Sequence, residues 1–523
     1  MIPRLLDRER IVAGPGFNRW LVPPAALAIH LCIGMAYGFS VFWLPLSRAL
    51  GITKPIVCPD LTLTAALFTT VCDWRVSDLG WIYTLFFVFL GSSAALWGGW
   101  VERSGPRKAG IVAAICWCGG IVIAAAGVIL HQLWMMWLGA GVLGGIGLGL
   151  GYISPVSTLI KWFPDRRGMA TGMAIMGFGG GAMIGAPLAD RLMTHFRTPT
   201  SVGVWQTFLV LAAIYFASMM AGAFAYRVPP AGWRPRGIAA EKRHAMVMAA
   251  RSVHLRDAHK TKQFWLIWAV LCLNVSAGIG VIGMASPMLQ EIFGASAAVA
   301  AGFTGLISLF NIGGRFFWAS LSDRVGRKAT YYTFFILGIA LYTLTPTAAR
   351  TGSQAAFVLA ICVIVSMYGG GFATIPAYLA DIFGTQFVGA IHGRLLTAWS
   401  TAGIIGPVIV NYIREYQREI GVPSARAYDV TMYILAAMLV FGLIANALVT
   451  QLPDRWFMTD EELAKLQARG GRESDAGQSK GLGVGPGGLD GRTALAWTAV
   501  AVPIAWGVWV TLSQALVLFS NRI

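Results

Sequence analysis

Arg315 stands in the run GLISLFNIGGRFFWASLS, residues 305–322, where every other residue is uncharged. Its planar guanidinium presents paired donors that match the two oxygens of a carboxylate, a geometry that a lysine ammonium lacks. Asn311 falls one turn earlier on the same helical face, where it can hydrogen-bond the guanidinium or a bound anion without titrating. His30 and Tyr37 also share a face, Tyr152 opens the stretch GYISPVSTLIKWFPDRRG, Tyr368 and Phe372 lie one turn apart, and Trp399 follows in TAWSTAG. Taken singly, each of these aromatics reads as core packing or as part of an interfacial belt.

The elements that must position these residues are set by an unusual composition. The 523 residues are 56% hydrophobic and 12% charged, with a mean hydropathy of +0.66, too apolar for an ordinary soluble domain. The apolar runs reach the roughly 20 residues that cross a bilayer as helix, and the alternating pattern of a membrane barrel is absent. The chain reads as an all-α integral membrane protein with spans near 20–49, 79–100, 110–130, 133–160, 169–190, 205–226, 264–289, 299–321, 329–349, 355–380, 386–413 and 428–451. A thirteenth span is predicted near 493–519, after a glycine-rich linker at 470–492. The start, MIPRLLDRERIVAGPGFNRW, precedes a first span too long for a signal-peptide core and is expected to be retained.

A net charge of +17 and a pI near 9.9 would suit a nucleic-acid partner, but the distribution of the cations points elsewhere. With the N-terminus inside, most Lys and Arg fall in the N-terminal tail, the even-numbered loops and the C-terminal linker, which is the positive-inside pattern. The partners implied are the lipid bilayer and a small solute, without nucleic acid. The expected setting is a bacterial inner membrane, with the N-terminus cytoplasmic and the C-terminus periplasmic. The basic stretch 227–262 reads as an orienting cytoplasmic loop, with contact to anionic lipid as the alternative.

Only Arg315 lies deep in a predicted span, and every carboxylate falls in a loop or near a span end. A guanidinium in the bilayer costs a few kcal/mol on lenient insertion scales, so it is kept where it faces a cavity or a partner. With no internal carboxylate to neutralise it, an anion from outside is the natural partner. The alternative is snorkelling toward Asp323, about 12 Å away along a helix.

Of the seven cysteines, Cys32, Cys116, Cys118, Cys272 and Cys362 fall within spans and read as packing residues. Cys58 and Cys72 lie in the long first outside loop, where an oxidising compartment would let them bridge, worth about 3 kcal/mol, rather than remain two free thiols.

Displaced by 221 residues, the chain meets itself. Glu102-Arg103-Ser104-Gly105-Pro106-Arg107 falls on Asp323-Arg324-Val325-Gly326-Arg327-Lys328, Pro155 on Pro376, Gly168 and Gly172 on Gly389 and Gly393, and Gly185 on Gly406. The repeat divides the chain into a six-helix half at 1–226, a basic linker at 227–262, a second half at 263–452, a flexible linker at 453–492 and an accessory helix at 493–523. A site at the interface of the halves follows.

The repeated loops resemble the signature of the major facilitator superfamily. The resemblance assigns Glu102, Arg103, Arg107, Asp323, Arg324 and Lys328 to a gate that biases alternating access rather than to substrate contact. The fifth span, GMAIMGFGGGAMIGAPL, resembles the superfamily's antiporter motif with one residue inserted before Pro187, although close helix packing by small residues accounts for most of that pattern.

A narrower resemblance covers most of residues 18–452. AYGFSVF, GYISPVSTLIKWFPDRRGMATG, NIGGRF and HGRLLTAWSTAGIIGP are similar to the oxalate/formate antiporter family. That family clamps dianionic oxalate between an arginine and a lysine inside a box of aromatics. The resemblance maps the arginine onto Arg315 and the box onto Tyr37, Tyr152 and Tyr368, with His30 and Phe372 beside them. Where the family has Thr-Ala-Lys, this chain reads Thr397-Ala398-Trp399, so the second fixed cation is missing. One arginine balances one carboxylate, which shifts the expected substrate toward formate, lactate, pyruvate or glycolate. A protonated His30 would restore the second charge and admit oxalate.

The sequence therefore predicts a secondary transporter in which two halves rock around Arg315 and exchange anions, because an empty carrier would bury a bare cation. The related monocarboxylate transporters carry an aspartate one turn before their arginine, where this chain has Asn311, and that weakens proton symport. Symport through His30 remains the alternative, with a counter-anion or a proton as the coupled species. A receptor that binds a carboxylate without moving it is the reading from another class. Metal-ligand spacing, a nucleotide loop and a deep His/Asp/Glu cluster are missing, so neither an enzyme, a cofactor nor ATP is implied.

Overall fold

Backbone amides have no water to bond inside a bilayer, and the chain satisfies them within long helices. The computed structural model describes residues 8–14, 16–59, 61–163, 167–230, 252–384, 387–459, 461–462 and 490–519. Most of the basic linker at 227–262 and of the glycine-rich linker at 470–492 lies outside these residues. Among the described residues, twelve helices are long and apolar enough to cross a membrane, and no strand is present.

Those twelve and the glycine-rich helix α5 make thirteen long helices, in chain order α1 (Arg19–Leu46), α2 (Val76–Ser104), α3 (Pro106–Ile129), α4 (133–162), α5 (Arg167–Phe196), α6 (Val204–Ala225), α7 (Lys262–Phe293), α8 (Ala297–Val325), α9 (Arg327–Arg350), α10 (Gln354–Phe383), α11 (388–419), α12 (Asp429–Leu448) and α13 (Gly491–Phe519). Helix α1 tightens to a 3-10 form over Gly34–Phe42, and α4 loosens to a π form over Trp137–Gly144. Departures of this kind inside a helix often mark functional positions, and Tyr37 sits in the first of them.

The internal repeat is visible in backbone detail. Gly105, between α2 and α3, has φ 85° and ψ 160°; Gly326, between α8 and α9, has φ 89° and ψ 150°. Both are left-handed conformations that favour glycine. Pro155 and Pro376 each lie inside a helix, in α4 and α10. A Cβ on Gly185 of α5 would meet Met35 of α1 at 2.2 Å, and one on Gly406 of α11 would meet the Ser276 carbonyl of α7 at 2.3 Å. In each half the fifth helix thus closes on the first through an equivalent glycine.

The halves meet along α2 with α11, α5 with α8, and α1 with α7. At the end of the bundle that carries the 47–75 loop, Trp43 Nε1 donates to the Gly283 carbonyl and Trp81 Nε1 to Tyr412 Oη, each at 2.8 Å. In that loop Cys58 and Cys72 are joined in a disulfide with Cα atoms 5.9 Å apart. Asp73 accepts the amides of Leu50, Gly51 and Ile56, and His131 stacks on Trp74 with ring centroids 3.9 Å apart.

Helix α13 lies against α5 and α8. Thr493 Oγ1 accepts from Asn18, Trp497 Nε1 donates to the Trp20 carbonyl, and Thr511 Oγ1 donates to the Met183 carbonyl. Gly302 and Gly305 of α8 admit it closely: a Cβ at either would come within 2.4 Å of Gln514 or Thr511.

Arg315 has company as a buried arginine. Arg414 is 1% exposed, and here the charge is compensated: its Nε donates to Glu291 at 2.8 Å, and Glu291 also accepts from Tyr428 at 2.7 Å. The predicted eleventh span stopped at 413, whereas α11 runs to Glu419 and draws Arg414 into the packed bundle.

Candidate functional site

Helix α8 carries Arg315 to the interface of the halves, where it is 3% exposed. Its Nε donates to Asn311 Oδ1 at 2.9 Å, one turn back on the same helix, and its Nη1 donates to the Ile175 carbonyl of α5 at 3.1 Å. The glycine runs of α5 and α10 make room for this pair. A Cβ on Gly179 would fall 3.0 Å from Asn311 Oδ1 and 3.2 Å from Arg315 Nε, and one on Gly369 would fall 2.8 Å from Asn311 Oδ1. Among the described residues no carboxylate forms an ion pair with Arg315, and the two acceptors it has are neutral dipoles.

Around the arginine stands a closed group of rings. Tyr37 and Tyr368 share a hydrogen bond of 2.7 Å between hydroxyls. Phe372 lies under the guanidinium at 5.9 Å and touches Trp399 at 4.4 Å and Tyr368 at 5.3 Å. Trp399 also packs on Tyr152 at 5.3 Å, and Tyr152 stacks on His30 at 5.6 Å. His30 Nε2 lies 3.2 Å from the Tyr152 carbonyl. All are buried, and they come from α1, α4, α8, α10 and α11. The eight sequence-selected residues, Arg315, Asn311, Tyr37, Tyr152, Tyr368, His30, Phe372 and Trp399, therefore occupy one place.

Three further aromatics belong to the group. Phe178 of α5 packs on Tyr37 at 4.9 Å, on Tyr152 at 5.5 Å and on Trp399 at 5.7 Å. Phe87 of α2 packs on Tyr37 at 5.9 Å and on Trp399 at 5.6 Å. Tyr83, one turn before it, touches Phe87 at 5.0 Å. Phe178 is the single aromatic in the glycine run of the fifth span, a usable signal, whereas Tyr83 and Phe87 sit in the uniformly apolar WIYTLFFVFL. A cavity of about 10 Å³ adjoins Asn311, lined by Tyr37, Thr304, Ser308 and Val365 among others, enough for about one water molecule. This conformation is contracted around its centre.

The gate-loop residues lie apart from this group. Arg107 Nη2 donates to the carbonyls of Phe224 and Tyr226 at the end of α6, at 2.9 and 3.4 Å. Lys328 Nζ does the same at the end of α12, donating to Ala447 at 2.9 Å and Val449 at 2.7 Å. Each cation meets the negative end of a helix dipole within its own half. Asp323 pairs with Arg327, which also reaches Asp381 at 3.7 Å, and Arg324 is exposed. The side chains of Glu102 and Arg103 lie outside the described residues.

A model of the Major Facilitator Superfamily matches residues 26–407. The oxalate:formate antiporter of Oxalobacter formigenes is 26% identical over 399 residues, covering 74% of this chain and 83% of that protein. The apicoplast pyruvate carrier 1 of Toxoplasma gondii is 25% identical over 444 residues, covering 70% of this chain and 78% of that one. Among solved structures, the D-xylose-proton symporter superposes with a TM-score of 0.60 at 16% identity, over 83% of this chain and 100% of that chain, a likeness of fold.

Proposed function

The chain belongs to the Major Facilitator Superfamily and is a membrane transporter, and from that premise we propose that it exchanges small carboxylates by alternating access around Arg315. The observation that carries this reading is a guanidinium buried between the halves with Asn311 and the Ile175 carbonyl as its acceptors and no ion-pair partner among the described residues. A carboxylate supplies the missing charge and matches the fork of donors. Return of the empty carrier leaves that charge uncompensated in a site of low dielectric, which favours exchange over one-way movement. The names of two relatives, an oxalate:formate antiporter and a pyruvate carrier, fit a carboxylate as cargo.

Monocarboxylates are the preferred class in this reading. Trp399, which stands where the resemblance places a lysine, is wholly buried among Tyr152, Phe178 and Phe372 and brings no second cation. Asn311 in place of a carboxylate argues against proton symport. The orientation we propose puts the disulfide loop in an oxidising periplasm and the Arg107 and Lys328 loops in the cytoplasm of a bacterium, consistent with the cation distribution.

Uptake of labelled formate and oxalate into proteoliposomes, loaded or empty, tests the proposal with Arg315→Gln as control. Uptake of formate only into loaded vesicles, lost in the variant, is the expected result. Accumulation in empty vesicles under an inward proton gradient would replace exchange by symport and direct attention to His30.

A further inference from the structure

The loop between α1 and α2 is apolar where a loop in water is ordinarily polar. Residues 55–72, PIVCPDLTLTAALFTTVC, hold a single charge, Asp60, and no Lys or Arg. Val57 is 73% exposed, Val71 72%, Phe68 64% and Ile56 46%. Apolar residues exposed singly need no explanation, but four in one disulfide-closed loop make a patch, and such patches mark contact surfaces. The second half has no equivalent, since residues 294–296 alone connect α7 to α8.

The loop is held in a fixed place. Beyond the disulfide and the amides bound by Asp73, it is pinned to the turn between α3 and α4. The Leu67 carbonyl accepts from the Trp134 amide at 3.2 Å, the Cys72 carbonyl lies 2.8 Å from His131 Nε2, and Trp74 stacks on the same histidine ring. Ile52 in the loop and His131 in the turn are the two non-glycine residues with positive φ among the described residues, at 58° and 48°. Such backbone persists only where the surroundings over-determine it.

That turn lies at the bilayer surface. Helix α3 has 24 residues. At about 36 Å it outreaches a ~30 Å hydrocarbon core and brings Ile129 to the interface. Ile115, Val122 and Ile129 are seven apart, hence on one face, and all three are exposed, which marks the side of α3 turned to lipid. Leu130 and Trp134 continue this exposed surface through the turn. The Trp134 indole donates to Gln132 at 3.0 Å, giving an apolar ring with a bonded polar edge, the kind that settles at the interface. The loop is bonded to this same turn, so its patch adjoins a surface that faces lipid.

We propose that the 47–75 loop is a membrane-surface anchor, with Ile56, Val57, Phe68 and Val71 set among the headgroups and upper acyl chains of the leaflet on this side. The partner is the lipid surface itself. Residues 55–72 carry no cation to recognise an anionic headgroup, so apolar burial supplies the contact and zwitterionic lipid suffices. Every tie named here runs to the first half, so the anchor fixes the depth of that half in the bilayer and leaves the second half free of it.

Nitroxide side chains introduced as a genetically encoded amino acid, which spares the disulfide, test this in phosphatidylcholine proteoliposomes. They are placed at Val57, Phe68 and Val71 in turn, with exposed Thr200 in the α5–α6 loop as the aqueous reference on the same side. The three loop positions are exposed and changed one at a time, and an intact Cys58–Cys72 bridge, checked by mass after thiol blocking, shows that each variant keeps the loop closed. Relaxation by oxygen, which concentrates in lipid, is compared with relaxation by a water-soluble nickel chelate. The oxygen-to-nickel ratio should be several-fold higher at the loop positions than at Thr200. A ratio equal to that at Thr200 would place the patch in water, and protection from both reagents would place it against protein, a second copy included; either result overturns the anchor.

Discussion

The hydroxyls of Tyr37 and Tyr368 lie 2.7 Å apart, one on α1 and the other on α10, so a hydrogen bond joins the two halves beside Arg315, in addition to the one from Arg315 to the Ile175 carbonyl. Its release accompanies any separation of the halves at this depth. Tyr37→Phe and Tyr368→Phe should each weaken the contracted conformation by about 1 kcal/mol, roughly a fivefold shift in population. The double variant should be little worse than either single one. Distances between spin labels on α1 and α10 would report the shift, and fully additive effects would show that the bond is not shared.

Asn311 holds Arg315 Nε through a neutral oxygen at 2.9 Å. Asn311→Asp would put a carboxylate at that position, neutralise the guanidinium from within and compete with the substrate anion. Anion affinity should fall at least about tenfold, and because the adjacent guanidinium keeps the new carboxyl ionised, the loss should persist from about pH 5 to 8, while Asn311→Ala, which adds no charge, should lose far less. Exchange measured over that range decides it.

Glu291 accepts hydrogen bonds from Arg414, Arg418 and Tyr428, tying α7, α11 and the entry to α12. Breaking a buried pair on one side leaves a bare charge, so Glu291→Gln should cost about 3–5 kcal/mol of stability. Glu291→Leu with Arg414→Met should recover much of it. Thermal unfolding of the purified protein would distinguish the two outcomes.

His131 lies in the turn between α3 and α4, stacked on Trp74 and bonded to the Cys72 carbonyl at 2.8 Å. Burial lowers its pKa below the ordinary 6.5, and the bond to Cys72 and the charge of Asp73 offset only part of that. The fold favours the neutral ring, so its contribution is present above about pH 6.5 and is lost as pH falls toward the lowered value. Protection of the 47–75 loop amides, measured relative to their intrinsic exchange rates, should fall between pH 7.5 and pH 5.5, and His131→Phe, which keeps a stacked ring without a titrating group, should remove that dependence.

Much of this architecture is legible in the chain because the bilayer imposes length and hydropathy on every helix, and because duplication writes each feature twice. Arg315 stands out for the same reason, a charge where charge is costly. Tyr83 and Phe87 do not, since in an apolar helix the residues facing a site and those facing lipid have the same composition. Arg414 and Glu291 are 123 positions apart and meet only through packing, which periodicity cannot reveal. The tethering of Arg107 and Lys328 to the ends of α6 and α12 likewise depends on where distant helices stop.

Helix α13 is not attached evenly to the two halves. Its described hydrogen bonds go to Asn18, Trp20 and Met183, and Arg191 lies 5.3 Å from the Trp506 ring, all in the first half. Toward α8 it meets the bare backbone of Gly302 and Gly305. Small residues let two helices pack closely without a polar tie. The twofold repeat is thereby broken: α13 is hydrogen-bonded as a seventh helix of the first half, while it only packs against α8 of the second.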